Sequence, residues 1–300
     1  MLGTQRGLVE TDLPGLFEAA DTASRSGQRG YVRTVRLRLL LTIAAAVTGV
    51  LTWQVGVAGV DLAAIGTAIA LAAITVTEVN LRATRPEGRW YDGRALAESA
   101  KSLAWRYSVG GVPYAKQGNE KLTERRLVEQ MSRLLDEAPT TSITPSLRPT
   151  VTATMHDLRS QDLATRKEAY LRFRIADQQT WYASKAEHNE RRATQWHTSL
   201  LVIEVVGVVA ALAKAVRFVD IDMAGLVAAV IAAGTAWVSL RQHTTLARAY
   251  TFAANELAIA RSRLELVDDE ATWAVEVADS EEAVSREHTM WRASRSRPSN

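Results

Sequence analysis

Hydrophobic positions along the chain gather into two long blocks. Residues 39–81 and 198–240 are apolar almost throughout, the first interrupted only around 54–61 and the second around 214–222. Each block therefore predicts two arms of about 17 to 22 residues, which at ~1.5 Å per residue suffice to cross a ~30 Å hydrocarbon layer. Four transmembrane helices are expected, at about 39–57, 62–81, 198–216 and 222–240, paired as two hairpins. A mean hydropathy of -0.08 and 23% charged residues would suit a soluble protein. Those averages do not register the segregation, which a windowed reading does.

Outside the blocks the periodicity is helical. Leu246, Tyr250, Ala253, Leu257, Ala260, Leu264 and Val267 recur at alternating four and three residues, the spacing of a coiled-coil seam, and must be buried against other helices. After a break at Asp268-Asp269-Glu270 the spacing returns with Trp273, Val277, Ser280, Val284 and Trp291. Leu96, Ala100, Leu103 and Tyr107 form a shorter stripe that Gly110-Gly111-Val112-Pro113 ends. These stripes fit packing within a cytosolic bundle and equally a subunit interface. Alternating strand patterns are almost absent. The expected fold class is an all-α membrane protein: two tandem helical hairpins whose long helices extend into a cytosolic bundle.

The only long Pro/Thr/Ser stretch, residues 137–149, carries three of the seven prolines and opposes helix. On each side of it the order is the same: basic lead-in, apolar hairpin, basic exit, amphipathic helix. This predicts a duplicated two-pass unit, with a first copy over 1–138, a linker over 139–160 and a second copy over 161–300.

Charge sets the orientation. Arg29, Arg33, Arg36 and Arg38 precede the first block and Arg82, Arg85, Arg89 and Arg94 follow it, whereas its tip has no Lys or Arg. Arg191, Arg192, Arg241 and Arg248 flank the second, whose tip offsets Lys214 and Arg217 with Asp220 and Asp222. The positive-inside rule then places both termini and the middle of the chain of this multi-pass protein in the cytoplasm. No cleavable signal peptide is expected, because the first apolar run begins near residue 39 and is too long. The isoelectric point near 9.2 reflects basic residues beside the membrane, where anionic lipid accounts for them. No aromatic-basic interleaving points to nucleic acid.

Catalytic chemistry finds no support. There is no cysteine, and His156, His188, His197, His243 and His288 lack metal-ligand spacing. Gly110-Gly111 is too sparse for a phosphate cradle. No enzymatic activity, metal or cofactor is expected. Two acidic residues in the spans are candidates for a pore or gate. Glu204 lies about 10 Å below Trp196 and His197, a depth at which a carboxylate must face water or a partner or take up a proton. Glu78 lies near the cytoplasmic end of the second span. Small residues at four-residue spacing, Ala45 and Gly49, Gly207 and Ala211, Gly225 and Ala229, permit close helix contact.

The segment Arg172-Phe-Arg-Ile-Ala-Asp-Gln-Gln-Thr-Trp-Tyr-Ala-Ser-Lys-Ala-Glu-His-Asn189 resembles the lead-in helix of SLATT domains, and Ser280-Glu-Glu-Ala-Val-Ser-Arg-Glu-His-Thr-Met-Trp291 their closing helix. Residues 89–107, beginning Arg89-Trp-Tyr-Asp-Gly, are similar to the post-hairpin helix of a companion subtype. The resemblance covers about 30–292 as a tandem. It implies a membrane effector of bacterial conflict and anti-phage systems that oligomerises and permeabilises the inner membrane. It also implies a trigger from a separately encoded nucleotide-signal synthase or sensor, since no such domain is recognisable here. Asp177, Gln178, Trp181 and Lys185, with Glu287, His288 and Trp291, are candidate partner-docking residues; Asp177, Trp181 and Lys185 share one helix face. A passive membrane scaffold that recruits a cytosolic partner and a small secondary transporter remain alternatives.

Overall fold

A computed structural model describes residues 7–51, 53–55, 59–116, 118–137, 143–218 and 223–295, the side chains of 55 and 285–295 excepted. The described chain is almost wholly helical. Helix α1 (Gly15–Val50) leads to a two-residue antiparallel pairing of β1 (Gln54–Val55) with β2 (Val60–Asp61), and α2 (Leu62–Thr84) returns. There follow α3 (Pro86–Val109), α4 (Glu120–Asp136), α5 (Ala153–Ser160) and α6 (Leu163–Tyr170). A π-helical turn over Leu171–Ala176 joins α6 to α7 (Asp177–Ala215); α8 (Met223–Arg241), α9 (His243–Glu265) and α10 (Glu270–Arg295) complete the order.

Polar side chains set the starts of these helices. Asp61 accepts from the backbone N–H groups of Ala63 and Ala64 at the head of α2, and Asn119, Thr152 and Asp162 do the same for α4, α5 and α6. At the expected break before α10, the Asp269 carboxylate accepts from Ala271 and Thr272. The exits of α2 and α8 are alike: Arg85 (φ 40) and Gln242 (φ 49) each take the left-handed conformation, with the N–H bonded to the carbonyl four residues back. This shared exit repeats at corresponding places of the two halves.

The chain divides into two compact units. One gathers the described residues of 1–28, 87–186 and 248–300 and contains the hydrophobic core. Leu13, Phe17 and Ala20 belong to it together with Ala97, Ala100, Ala104 and Trp105, and with Leu127, Met131, Met155 and Leu158. Of the expected stripes, Ala253, Leu257, Ala260 and Leu264 on α9, Val267 just beyond it, and Trp273, Val277, Ser280 and Val284 on α10 are buried, Leu246 and Tyr250 are half-buried, and the Trp291 side chain lies outside the described residues. Trp105, Tyr170 and Trp273 pack edge-on in sequence, with ring centroids 5.8 Å apart at both steps.

The other unit takes residues 29–86 and 187–247 and holds the apolar arms. Among the described residues three helical runs, Leu62–Val109, Leu163–Ala215 and Met223–Glu265, contain stretches long and apolar enough to cross a membrane. The first expected arm differs, because α1 ends at Val50. Its apolar helical part, from Leu39, is about 18 Å long, short of a hydrocarbon layer.

Candidate functional sites in the two units

In the unit that holds the hairpins, contact between arms is made by small and hydroxylated side chains. Thr48 and Thr67 share a hydrogen bond of 2.8 Å between α1 and α2. A β-carbon on Gly207 would come within 2.8 Å of Val227 Cγ1, and one on Gly234 within 2.7 Å of Leu200 Cδ2, so α7 and α8 approach closely at these glycines. Ala45 is buried as well. Glu78 is not isolated: Arg38 Nη1 donates to it at 2.6 Å and Arg82 Nε at 2.9 Å, a bridge between α1 and α2.

Glu204 is placed otherwise. It is exposed on α7 beside Leu201, Val205 and Val208, which lie within one turn of it and are each more than half exposed. Among the described residues it has no hydrogen bond or ion pair. From Leu201 to Leu212 the outward face of α7 is thus apolar with one carboxylate in it. Below the apolar part of the hairpin, His243 is buried and its Nδ1 lies 2.7 Å from Asn189 Oδ1. Burial, then the neighbouring Arg241, His188 and Arg192, hold this imidazole below its ordinary pKa.

The core unit contains three buried arginines that the sequence reading did not single out. Arg159 Nη1 donates to the carbonyls of Tyr107 and Tyr114 at 2.7 and 2.8 Å while Nε meets Glu120 at 2.6 Å. Arg166 Nη1 donates to the Val109 carbonyl at 2.6 Å, which also accepts from Trp273 Nε1 at 2.8 Å, and Nη2 pairs with Glu270. These arginines satisfy carbonyls that the end of α3 leaves open. Gly110, with φ 81, turns the chain there, and a β-carbon on it would sit 2.7 Å from Arg166 Nη1.

Arg174, in the π-helical turn, is the third. Its Nε donates to Glu281 Oε1 at 2.9 Å and its Nη2 to Oε2 at 2.7 Å, while Tyr170 OH donates to Oε1 at 3.0 Å. Ser102 Oγ on α3 also accepts from Arg174 Nη2, at 3.4 Å. Burial pushes the Glu281 carboxyl up, but Arg174 beside it and the hydrogen bonds outweigh burial and hold it below the ordinary range. Burial pushes the Tyr170 phenol well above its ordinary value, with the Glu281 charge adding to the shift. Extra residues in a π-turn rotate the helix that follows, and Arg174 and Ile175 face the core at this one.

Of the expected docking residues, Trp181 is about one-third exposed. It packs edge-on against Tyr182 and Tyr250, with Arg94 and Lys185 over its ring at 6.0 and 5.7 Å. Asp177 is exposed in the first turn of α7 and Gln178 is half-buried. Glu287, His288 and Trp291 lie on α10, but their side chains fall outside the described residues. Trp181 and Lys185 are thereby brought together.

Two family profiles match the chain. SMODS and SLOG-associating 2TM effector domain 3 matches residues 14–167, and SMODS and SLOG-associating 2TM effector domain 1 matches residues 170–291. Neither curated proteins nor solved structures give a significant match. Arg159 and Arg166 fall in the first match, and Tyr170, Arg174 and Glu281 in the second, so the ionic core draws on both. With more than half of the chain under the first profile and most of the remainder under the second, this membrane protein belongs to the SMODS and SLOG-associating 2TM effector (SLATT) family, as a tandem of its domains 3 and 1.

Proposed function

We propose that the chain is a four-span effector of a bacterial conflict system, without enzymatic activity, that oligomerises in the inner membrane and permeabilises it on activation. The observation that carries this reading is Glu204 on the outward apolar face of α7. Leu201, Val205 and Val208 around it are satisfied by lipid; an ionised carboxylate at that depth costs about 2.5–3.5 kcal/mol or more unless water or a polar neighbour meets it. A second copy of the chain supplies such a neighbour, and a ring of carboxylates around a wet lumen favours cations. Thinning of the bilayer accommodates the short helical arm of the first span. Arginine clusters at both hairpins support cytoplasmic termini, and activation comes from a separately encoded nucleotide-signal synthase or sensor, with Trp181 and Lys185 as part of its docking surface.

The test is regulated expression of the full chain in a bacterial host together with its neighbouring genes, followed with a membrane-potential dye. Loss of potential on activation is expected; growth arrest with the potential intact would sink the pore reading. Reporter fusions after Asn300 and within 139–149 should give cytoplasmic signals, and a periplasmic signal at either place would overturn the topology.

A further inference from the structure

Basic side chains at the foot of the first hairpin are of two kinds. Arg38 and Arg82 are engaged by Glu78. Arg33 and Arg36 on α1, and Arg85 between α2 and α3, are exposed, and their side chains make no hydrogen bond or ion pair among the described residues. The second hairpin is different: Arg191 pairs with Glu187 at 2.9 Å, Arg192 donates to Gln195 at 3.3 Å, and Arg241 lies over the Trp237 ring at 5.7 Å.

Two further observations give these free guanidiniums a direction. Arg29, Arg33 and Arg36 follow one another at four and three residues on one face of α1, and the same face continues as exposed Leu40, Ala44 and Val47. Arg36 and Leu40 are one turn apart, so cationic groups give way to an apolar stripe over about 6 Å. An acidic peptide or a nucleic acid has no use for that stripe; a phospholipid, with its phosphodiester followed by an acyl chain, matches both parts. Arg85 also holds a left-handed backbone (φ 40) that glycine adopts freely and residues with a β-carbon rarely do. A β-carbon on Gly30 would lie 3.7 Å from Pro86 Cβ, so α1 passes beside this junction and brings Arg85 to the basic stripe.

We propose that Arg33, Arg36 and Arg85 form a headgroup site for an anionic phospholipid, with the phosphodiester between the guanidiniums and an acyl chain along Leu40, Ala44 and Val47. Planar guanidinium forks suit phosphate oxygens, which a lysine meets only as a point charge. The proposal rests on the membrane placement of the first hairpin, not on pore formation.

The experiment uses the full chain in nanodiscs of phosphatidylcholine with and without phosphatidylglycerol, reading retained lipid by native mass spectrometry and melting temperature by intrinsic fluorescence. Each arginine should contribute about fivefold to retention, so the combined R33Q, R36Q and R85Q variant should lose roughly a hundredfold. The charge-matched R191Q, R192Q and R241Q variant should retain phosphatidylglycerol like the parent. R85G should melt higher than the parent in phosphatidylcholine, because the strain is gone, yet show a smaller rise on adding phosphatidylglycerol. Resistance to alkaline extraction reports insertion separately, and if the triple variant does not insert, R85G carries the comparison. Unchanged retention in the triple variant or in R85G, or an equal loss in the control, would overturn the site. Displacement of the lipid by millimolar glycerol phosphate would reassign it to a free phosphate ester.

Discussion

Arg174 and Glu281 form a bidentate ion pair with both side chains shut off from solvent, at 2.9 and 2.7 Å. Desolvating two charges in this way is costly, and the pair is held by its geometry together with Tyr170 and Ser102. The cluster around the pair spans the family boundary, because Ser102 lies in the first domain and Tyr170, Arg174 and Glu281 in the second. The pair thus fixes the register of α10 against the π-helical turn and α3 within one core.

Removing one member leaves the other charged and buried. Arg174→Met or Glu281→Leu should destabilise the purified protein by about 3–5 kcal/mol, while the double variant recovers much of that loss because no charge is stranded. Thermal unfolding in detergent by near-UV circular dichroism measures this. If the two single losses simply added in the double variant, the pair would not act as a unit.

The pH dependence has a definite sign at each end. Glu281 titrates below its ordinary 4.5 in the fold, so its contribution is complete above about that pH and is lost as the pH falls through the folded value. Tyr170 titrates well above its ordinary 10.0, so the stability from its neutral phenol is complete below about that pH and is lost as the pH rises further. Glu281→Gln should flatten the acid limb of a stability–pH profile and Tyr170→Phe the alkaline limb. A parent profile that the two substitutions lower uniformly at every pH would contradict both assignments.

Close approach of backbones makes a third expectation. A β-carbon on Gly93 would lie 2.8 Å from the Ser24 nitrogen and 2.9 Å from the Ala20 oxygen, main-chain atoms of α1 that cannot swing aside. Ser24 Oγ donates to the Trp90 carbonyl at 3.0 Å across the same contact. Gly93→Ala should therefore cost about 1–3 kcal/mol despite its higher helix propensity. An unchanged or raised melting temperature would mean that α1 and α3 separate at no cost.

The seam residues of α9 and α10 were legible in the sequence, because periodicity depends only on near neighbours. Leu257, Leu264 and Trp273 are buried where the four-and-three spacing puts them. Arg159, Arg166 and Arg174 were not legible. Each looks like a solvated helix residue until Glu120, Glu270 or Glu281 arrives from a helix 39 to 107 positions away, and no local pattern reports that meeting. A charged Glu281 following Trp273 and Val277 at four-residue steps was the available hint, since an acid on an inward stripe needs a partner. Glu78 shows the same limit from the other side: it reads as a lone acid near a span until Arg38, 40 positions earlier, closes on it.

The last expectation concerns Glu204, whose surroundings on α7 are apolar and exposed. If it lines a wet lumen between copies, its charge sets ion preference and its shape does little. If it hydrogen-bonds as a protonated acid to a neighbouring helix, shape and hydrogen bonding are what count, and an amide serves nearly as well. Glu204→Gln keeps the shape and removes the charge, so it separates the two. Under the pore reading the variant should assemble as the parent does, and cation-over-anion preference in liposomes should fall several-fold once the protein is activated. Glu204→Leu adds the complementary arm: it removes both charge and hydrogen bonding, and should weaken assembly under either reading, by on the order of 1 kcal/mol per contact. Unchanged selectivity in a correctly assembled Gln variant, together with a Leu variant that fails to assemble, would make Glu204 an assembly contact and move the conduction path elsewhere.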